Sequence, residues 1–441
     1  MAAPLKVGLA GLGTVGSAVA GMILRSSDEL ALRAGRPIEL IAYASKDPPR
    51  DTSLDLSKLR QLPDPTELAR DPGIDVFVEL MGGEGDPAKS AVEAALGMGR
   101  SVVTANKALL ARHGTALAKL AEDRGAALCF EAAVAGGIPI VKTLREGLGG
   151  SRIRRVYGIL NGTCNYILTR MQKERLSFAE CLTDAQKLGY AEADPTFDIG
   201  GFDTAHKLAI LTSLAFGVEV DAEAVHVEGI ESISLADLDA ADDLGYRVKL
   251  LGVAQRTATG IEQRVHPTMV GKGTVIAEVD GVTNAVAVDS DAMELTLIGP
   301  GAGGAATSAS VVADLVDIAA GRRTPAFGRP ASALGKAQRA PMQRHEGGYY
   351  IRLAAVDRPG SAATIARRMA EENISLESIM QRGRDGRPHG GDDPRSADKP
   401  APLALITYAT AEDAVRRALA AIEKDGVLAE KPQLIRIEKN R

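Results

Sequence analysis

At 441 residues and a formal net charge of −5, the chain is too long for one hydrophobic core and implies two or three domains. Charges of both signs are mixed along it, which excludes a basic nucleic-acid surface, and no apolar run reaches the ~20 residues of a membrane-spanning helix. Cys129, Cys164 and Cys181 fit no zinc or redox spacing, and MAAPLKVGLAGLG enters a strand without the marks of a signal peptide, so a cytoplasmic enzyme rich in Gly and Ala is expected.

KVGLAGLGTVGSAVAGMIL reads as a short apolar strand, a glycine turn and a helix. Gly11, Gly13 and Gly16 give G-x-G-x-x-G, with Thr14 and Val15 inside the turn. Between a strand and a helix this pattern predicts a Rossmann dinucleotide site. Gly11 allows the tight turn, Gly13 admits a pyrophosphate, and Gly16 lets helix and strand pack closely. The amides of the helix start then face the phosphates. PIELIAYAS, residues 37 to 45, is the second strand. An NAD-selective site carries an acid near its end. Here Ser45 and Lys46 stand there with Arg50 nearby, which favours NADP, while Asp47 keeps NAD open.

IDVFVELMGG (74 to 83) and SVVTANKALLA (101 to 111) read as further buried strands. Ligands of open parallel sheets bind beyond the carboxyl ends of the strands. Lys107 is therefore expected at the nicotinamide cleft; a helix dipole does not favour a lysine at a helix start. LCFEAAVAGGIPIVKTL, residues 128 to 144, completes this half.

RRVYGILNGTCNYILTRM puts Asn161, Gly162 and Thr163 in a strand-to-helix turn whose amides can hold a carboxylate. LGYAEADPTFDIGGFDTAHK, residues 188 to 207, is an acidic loop leading into a helix. It carries Glu192, Asp194, Asp198 and Asp203, with Asp184 just before it, and these carboxylates are expected to turn toward a cleft. The helix that follows is apolar on nearly every side yet bears Asp203 and Lys207 four residues apart. An exposed pair at that spacing contributes only about 0.3–0.5 kcal/mol. Removing both charges from water costs several kcal/mol per ion, so a catalytic role explains the location better. A lysine partly withdrawn from water exchanges a proton more readily.

GPGAGGAATSASVV, residues 299 to 312, is a second glycine turn before a helix. Residues 326 to 347 read as a polar linker. Strand, helix, strand, strand, helix, strand follow, the βαββαβ order of a ferredoxin-like unit. Residues 383 to 400 between its second and third strands read as a mobile hairpin loop.

The G-x-G-x-x-G opening, VVTANKALLA, FEAAVAGGIPI, ILNGTCNYIL, GYAEADPTFDIGGFDTAHKLAIL and GPGAGGAATSASVVADLVDIA follow one another as in homoserine dehydrogenases. The resemblance spans roughly residues 5 to 325 and is most specific over 188 to 211. It implies NAD(P)-dependent interconversion of L-homoserine and L-aspartate 4-semialdehyde, on the route to threonine and methionine. By matching position, Lys207 is the proton donor and Lys107 sits with cofactor and substrate. Glu192 holds the substrate ammonium, and Asp198 and Asp203 complete the polar pocket. Gly303 lies near the cofactor, on a turn whose helix, near 305 to 320, returns to the first domain. FEAAVAGGIP resembles the family's monovalent cation loop, with Glu131, Val134, Gly136 and Ile138 as ligands, most simply of Na⁺. VDRPGSAATIARRMAEENI resembles an ACT regulatory domain. Its turn, Asp357, Arg358, Pro359 and Gly360, is suited to an amino-acid effector, for which the pathway suggests L-threonine.

The expected architecture is thus α/β: a Rossmann domain over 1–135, an α+β catalytic and dimerisation domain over 136–325, a linker over 326–347 and an ACT domain over 348–441, assembled as a homodimer or homotetramer. Another NAD(P)-dependent amino-acid dehydrogenase, or a non-catalytic amino-acid sensor, are the alternatives. The lysines and acids named above argue against the sensor.

Overall fold

A computed structural model describes residues 2–356, 358–381 and 400–438. The N-terminal part alternates strands and helices: β1 (Leu5–Ala10), α1 (Thr14–Arg25), α2 (Ser27–Ala34), β2 (Ile38–Ala44), β3 (Arg60–Gln61), α3 (Pro65–Arg70), β4 (Val76–Glu79), α4 (Ala88–Gly97), β5 (Ser101–Thr104), α5 (Lys107–Asp123) and β6 (Leu128–Cys129). The strands pair in parallel in the order β3-β2-β1-β4-β5-β6. β4 is buried along its whole length and β1 at all but Lys6, as expected of parallel strands covered on both faces. The order reverses between β1 and β4, the position at which open parallel sheets bind their ligands. The strands expected over 74–83 and 101–111 are shorter than their apolar runs. β4 stops at Glu79 and β5 at Thr104, because Glu79 and Asn106 bind the turns that follow.

The chain then makes α6 (Ile140–Lys142), β7 (Ile153–Ile159), α7 (Gly162–Glu174), α8 (Phe178–Lys187), α9 (Thr196–Ile199), α10 (Phe202–Phe216), β8 (His226–Val227), α11 (Leu235–Asp243), β9 (Tyr246–Thr257), β10 (Gly260–Gly271), β11 (Thr283–Ser290), β12 (Glu294–Pro300) and α12 (Gly304–Ala319). Helix starts are chemically marked: Asn161 caps α7, and Ser177 with Glu180 and Ser234 with Asp237 form capping boxes on α8 and α11. α10 lies against α5, β7, β9 and β10, and Leu208, Ile210 and Leu211 are fully enclosed. α12 returns to α1, where Val311, Val312 and Leu315 share a core with Val7, Leu9 and Val19.

The last part comprises β13 (Glu346–Ala355), α13 (Ser361–Glu371), β14 (Leu376–Gln381), β15 (Ala401–Thr407), β16 (Thr410–Ala411), α14 (Glu412–Lys424) and β17 (Gln433–Glu438). Its strands do not form a separate sheet. One sheet runs β12-β11-β7-β9-β10-β17-β13-β15-β14, joined where β17 pairs in parallel with β10 at Thr268–Arg436, Met269–Ile437 and Val270–Glu438. β8 takes an earlier stretch of the same edge of β10, at Arg264 and Val265, and Pro267 sits between the two pairings.

The stretch read as a polar linker is pinned to its surroundings. Phe327 is buried against Phe130 with ring centroids 5.1 Å apart, Ala331 donates its amide to Glu122, and Ile261 pairs with Arg339. Most of the hairpin loop expected at 383–400, and Asp357 of the expected effector turn, lie outside the described residues. Among the described residues, no helix is long and apolar enough to cross a membrane.

Candidate active site

The glycine turn is shaped as its spacing predicts. Gly11 has φ +94°, and a Cβ there would sit 2.6 Å from the Leu80 carbonyl oxygen; one on Gly16 would sit 1.9 Å from that of Gly11. A Cβ on Gly13 would meet nothing within 4 Å, so the turn is open where a pyrophosphate would approach. α1 has no side-chain cap and no acid in its first turn, which leaves its leading amides for an anion. The residues therefore fit a nicotinamide dinucleotide. The Ser17 hydroxyl donates to the Leu12 carbonyl at 2.8 Å and accepts the Arg50 amide at 2.9 Å, fastening the segment after β2 over the turn. Lys46 and Arg50 lie on this segment, both exposed. Gly303, with φ +101°, begins α12, and Gly304 packs against Thr14.

Beyond β4 and β5 the carboxylate of Glu79, fully buried, accepts the amides of Met81 and Gly82 at 2.8 and 3.1 Å and the Thr104 hydroxyl at 2.6 Å. The Asn106 side chain reaches the Gly83 carbonyl at 2.7 Å and caps α5 through Leu109. Lys107 begins that helix, so its ammonium is aimed by a rigid, fully bonded turn. Sequence reasoning missed Glu79; the signal available was a lone acid closing the apolar run VFVE.

Lys107 and Lys207 meet on one carboxylate. Asp203 lies 3.1 Å from Lys107 through Oδ1 and 2.8 Å from Lys207 through Oδ2, and it is 4% exposed. Lys207 also donates to the Leu160 carbonyl at 2.6 Å. The Asn161 amide nitrogen donates to both Asp203 and Asp198 at 2.9 Å, while its oxygen caps α7 at Cys164. Burial alone would raise the Asp203 carboxyl, but the ammonium groups of Lys207 and Lys107 outweigh it and hold it well below the usual carboxylate range. Asp198 goes the other way: burial and the neighbouring Asp203 raise it, against the Asn161 hydrogen bond and the two lysines. One anion thus stays charged between two cations, while a second beside it holds its proton more readily.

Not every acid of the loop turns inward. Asp198 and Asp203 do; Asp184 pairs outward with Arg170 and Lys187, and Asp194 caps the Thr196 amide. Glu192 is exposed, and its carboxylate makes no hydrogen bond or ion pair among the described residues. The loop also contains α9, a helical turn hidden by Pro195 and two glycines in the sequence. The Thr163 hydroxyl donates to the Tyr190 carbonyl at 2.7 Å, tying this loop to the start of α7, where Gly162 and Thr163 present amides without intrahelical partners. His206, half-buried beside Lys207, also went unremarked; burial and Lys107 lower its pKa, opposed by Asp203 and Glu84.

In the loop of Glu131, Val134, Gly136 and Ile138, both carboxylate oxygens of Glu131 are taken by the amides of Val141 and Lys142, at 2.9 and 2.8 Å. Burial and Asp314 push this carboxyl up to about 7, against those amides and Lys142. Its side chain is therefore committed to the start of α6, and of the backbone oxygens in this loop those of Gly136 and Ile138 accept from the Ser310 hydroxyl at 2.6 Å and the Ile140 amide at 2.7 Å. Among the described residues no group of three or more His, Cys, Asp or Glu side chains is arranged to hold a metal. In the C-terminal part Gly360, with φ +95°, starts α13; Arg358 donates to the Gly426 carbonyl at 3.3 Å.

The chain is similar to known proteins along most of its length. Residues 11–131 match the family described as homoserine dehydrogenase, NAD binding domain, and residues 139–316 the family described as homoserine dehydrogenase. The homoserine dehydrogenase of Pseudomonas aeruginosa is 43% identical over 427 residues, 95% of each chain, and that of Neisseria gonorrhoeae 41% over 449 residues, 99% of each. The crystal structure of a homoserine dehydrogenase from Thiobacillus denitrificans superimposes with a TM-score of 0.90 at 41% identity, covering 99% of both chains. A hyperthermophilic archaeal homoserine dehydrogenase in complex with NADPH superimposes with a TM-score of 0.61 at 27% identity, over 71% of this chain and 97% of that one.

Proposed function

The chain belongs to the homoserine dehydrogenase family, and from that premise we propose how its residues serve the reaction. The activity is an oxidoreductase interconversion of L-homoserine and L-aspartate 4-semialdehyde with a nicotinamide cofactor. The carrying observation is that one buried carboxylate, Asp203 at the start of α10, is shared by Lys107 and Lys207. Gly11, Gly13, Thr14, Val15, Gly16 and Gly303 hold the dinucleotide, which when bound supplies or accepts the hydride at the substrate's C4. Lys207 holds and moves the proton at the oxygen on that carbon, stabilising negative charge as the aldehyde is reduced and accepting the hydroxyl proton in the reverse direction. Asp203 aims both lysines, and Lys107 orients the reacting end toward the cofactor crevice. The amides of Gly162 and Thr163 take the substrate carboxylate, and Glu192 and Asp198 its ammonium. Absorbance change of the nicotinamide with homoserine, and its absence with malate and other hydroxy acids, tests this reading.

The exposed Glu192 carries its own prediction: Glu192→Gln raises the KM for homoserine by about two- to fivefold, the range of an exposed charge pair, with kcat little changed. An unmoved KM assigns the ammonium to Asp198 alone. The cofactor we propose is NADP, because Lys46 and Arg50 stand beyond the end of β2 without an acid at its last residue. Neutralising both should lower kcat/KM for NADP about five- to tenfold more than for NAD; equal losses would show that neither cation meets the 2′-phosphate.

We further propose that the backbone carbonyls of Glu131, Val134, Gly136 and Ile138 hold a monovalent cation such as Na⁺, that the enzyme is a cytoplasmic homo-oligomer, and that the C-terminal part is an ACT-type sensor. Its strand order, β17-β13-β15-β14, supports a ferredoxin-like unit. L-threonine at the turn of Arg358, Pro359 and Gly360 is the proposed effector, and it must bind one conformation of the enzyme more tightly than another. Millimolar threonine should inhibit the full-length enzyme and bind it by calorimetry. No heat and no inhibition would make the unit an assembly module or a sensor of something other than threonine.

A further inference from the structure

The join between β17 and β10 reaches the substrate acids through a short series of direct contacts. Arg436 on β17, 1% exposed, divides its guanidinium between two carboxylates. It meets Glu412 of α14 at 2.7 and 2.8 Å, and Glu228, just after β8, at 2.7 and 3.0 Å. Glu228 also bonds His226 at 2.9 Å, and its amide donates to the Val265 carbonyl of β10 at 2.8 Å. The next two residues press on the active-site loop. A Cβ on Gly229 would sit 2.4 Å from the Ile199 carbonyl oxygen and 2.8 Å from the Gly200 Cα, and the Ile230 amide donates to that same carbonyl at 2.9 Å. Ile199 ends α9, the turn that carries Asp198, and Asp198 shares Asn161 with Asp203.

We infer that the Arg436–Glu228 pair is a positioning device for Asp198, by which the C-terminal part sets the affinity of the active site for the amino-acid substrate. Both ends are restrained. Arg436 belongs to a ladder strand and is gripped from α14, so its fork has little freedom. Segment 228–230 has backbone against backbone at Ile199, so a shift of Glu228 has no flexible side chain to absorb it. Movement passes to α9 and hence to the Asp198 carboxylate. The cofactor turn lies on the other sheet and stands outside this series of contacts. This inference rests on the reading that Asp198 meets the substrate.

Three single variants of the full-length chain, Glu228→Gln, Gly229→Ala and Asp198→Asn, test it together with the doubles that combine each of the first two with Asp198→Asn. Glu228→Gln removes the charge that Arg436 grips, and Gly229→Ala pushes on Ile199 directly, so one remains informative if the other fails to fold. Glu228→Gln and Gly229→Ala should each raise the KM for homoserine by roughly threefold to tenfold, leaving kcat and the KM for NADP nearly unchanged. In the Asp198→Asn background the same changes should add less than about twofold. The relay is overturned if folded Glu228→Gln and Gly229→Ala keep the parental KM, if both substrates weaken equally, or if the full effect persists without the Asp198 carboxylate. An Asp198→Asn enzyme with unchanged KM overturns the substrate reading of Asp198, and the relay with it. That outcome is distinct from a relay failing while Asp198→Asn raises KM as expected.

Discussion

Lys207→Met lowers kcat for homoserine oxidation by about 10²- to 10⁴-fold, the usual contribution of a positioned acid–base group. The KM for the nicotinamide cofactor should stay close to the parental value, because Lys207 lies on α10 while the dinucleotide turn is built from β1 and α1. Methionine keeps an unbranched, apolar stem at this buried position and removes only the ammonium, so the fold should survive. Loss of that ammonium also frees one oxygen of Asp203, and part of the rate loss will come through a displaced Lys107. Single-turnover rates separate the two origins. A chemical step that slows tenfold or less would mean that Lys107 supplies the proton and Lys207 only neutralises Asp203.

Asp203→Asn should cost about 3–5 kcal/mol of stability, the price of leaving buried partners of an ion pair uncompensated, and should lower kcat by about 10²-fold through misplacement of both lysines. The loss has a defined pH signature. Burial would raise this carboxyl, yet Lys207 and Lys107 hold it below its unfolded value. A depressed folded pKa stabilises the native state above the unfolded value of about 3.9 and loses that contribution as pH falls through the folded value. The melting temperatures of parent and variant should therefore differ most near neutrality and converge in strong acid. A gap of constant size across that range would show that shape, not charge, is what Asp203 contributes.

Much of this was legible in the chain. A strand, three glycines at fixed spacing and a helix specify the dinucleotide turn through local sterics alone, and the observed φ at Gly11 and the close approach at Gly16 follow from it. Asp203 and Lys207 declared themselves because a four-residue spacing puts them on one face of a helix whose other positions are apolar. The order of the C-terminal elements was likewise readable from alternating periodicities. Other features had no local signal. α9 was obscured because it is a single turn between Pro195 and Gly200, held by the chain that passes beneath it at Gly229 and Ile230. The outward set of Asp184 and Asp194 could not be told from the inward set of Asp198 and Asp203 by charge density, since all are aspartates in one run.

The sequence by itself determined the local chemistry: the glycine turn before α1, the Asn161 turn before α7, and the acid and lysine of α10. Tertiary structure alone decided that Lys107, nearly a hundred residues earlier, would share the Asp203 carboxylate with Lys207, and that β17 would complete the edge of β10 instead of standing in a separate sheet. The physical reason is that sterics and hydrogen bonding within a few residues are encoded by neighbours. A bridge between distant charges exists only once packing has removed both from water and left each the other's best available partner.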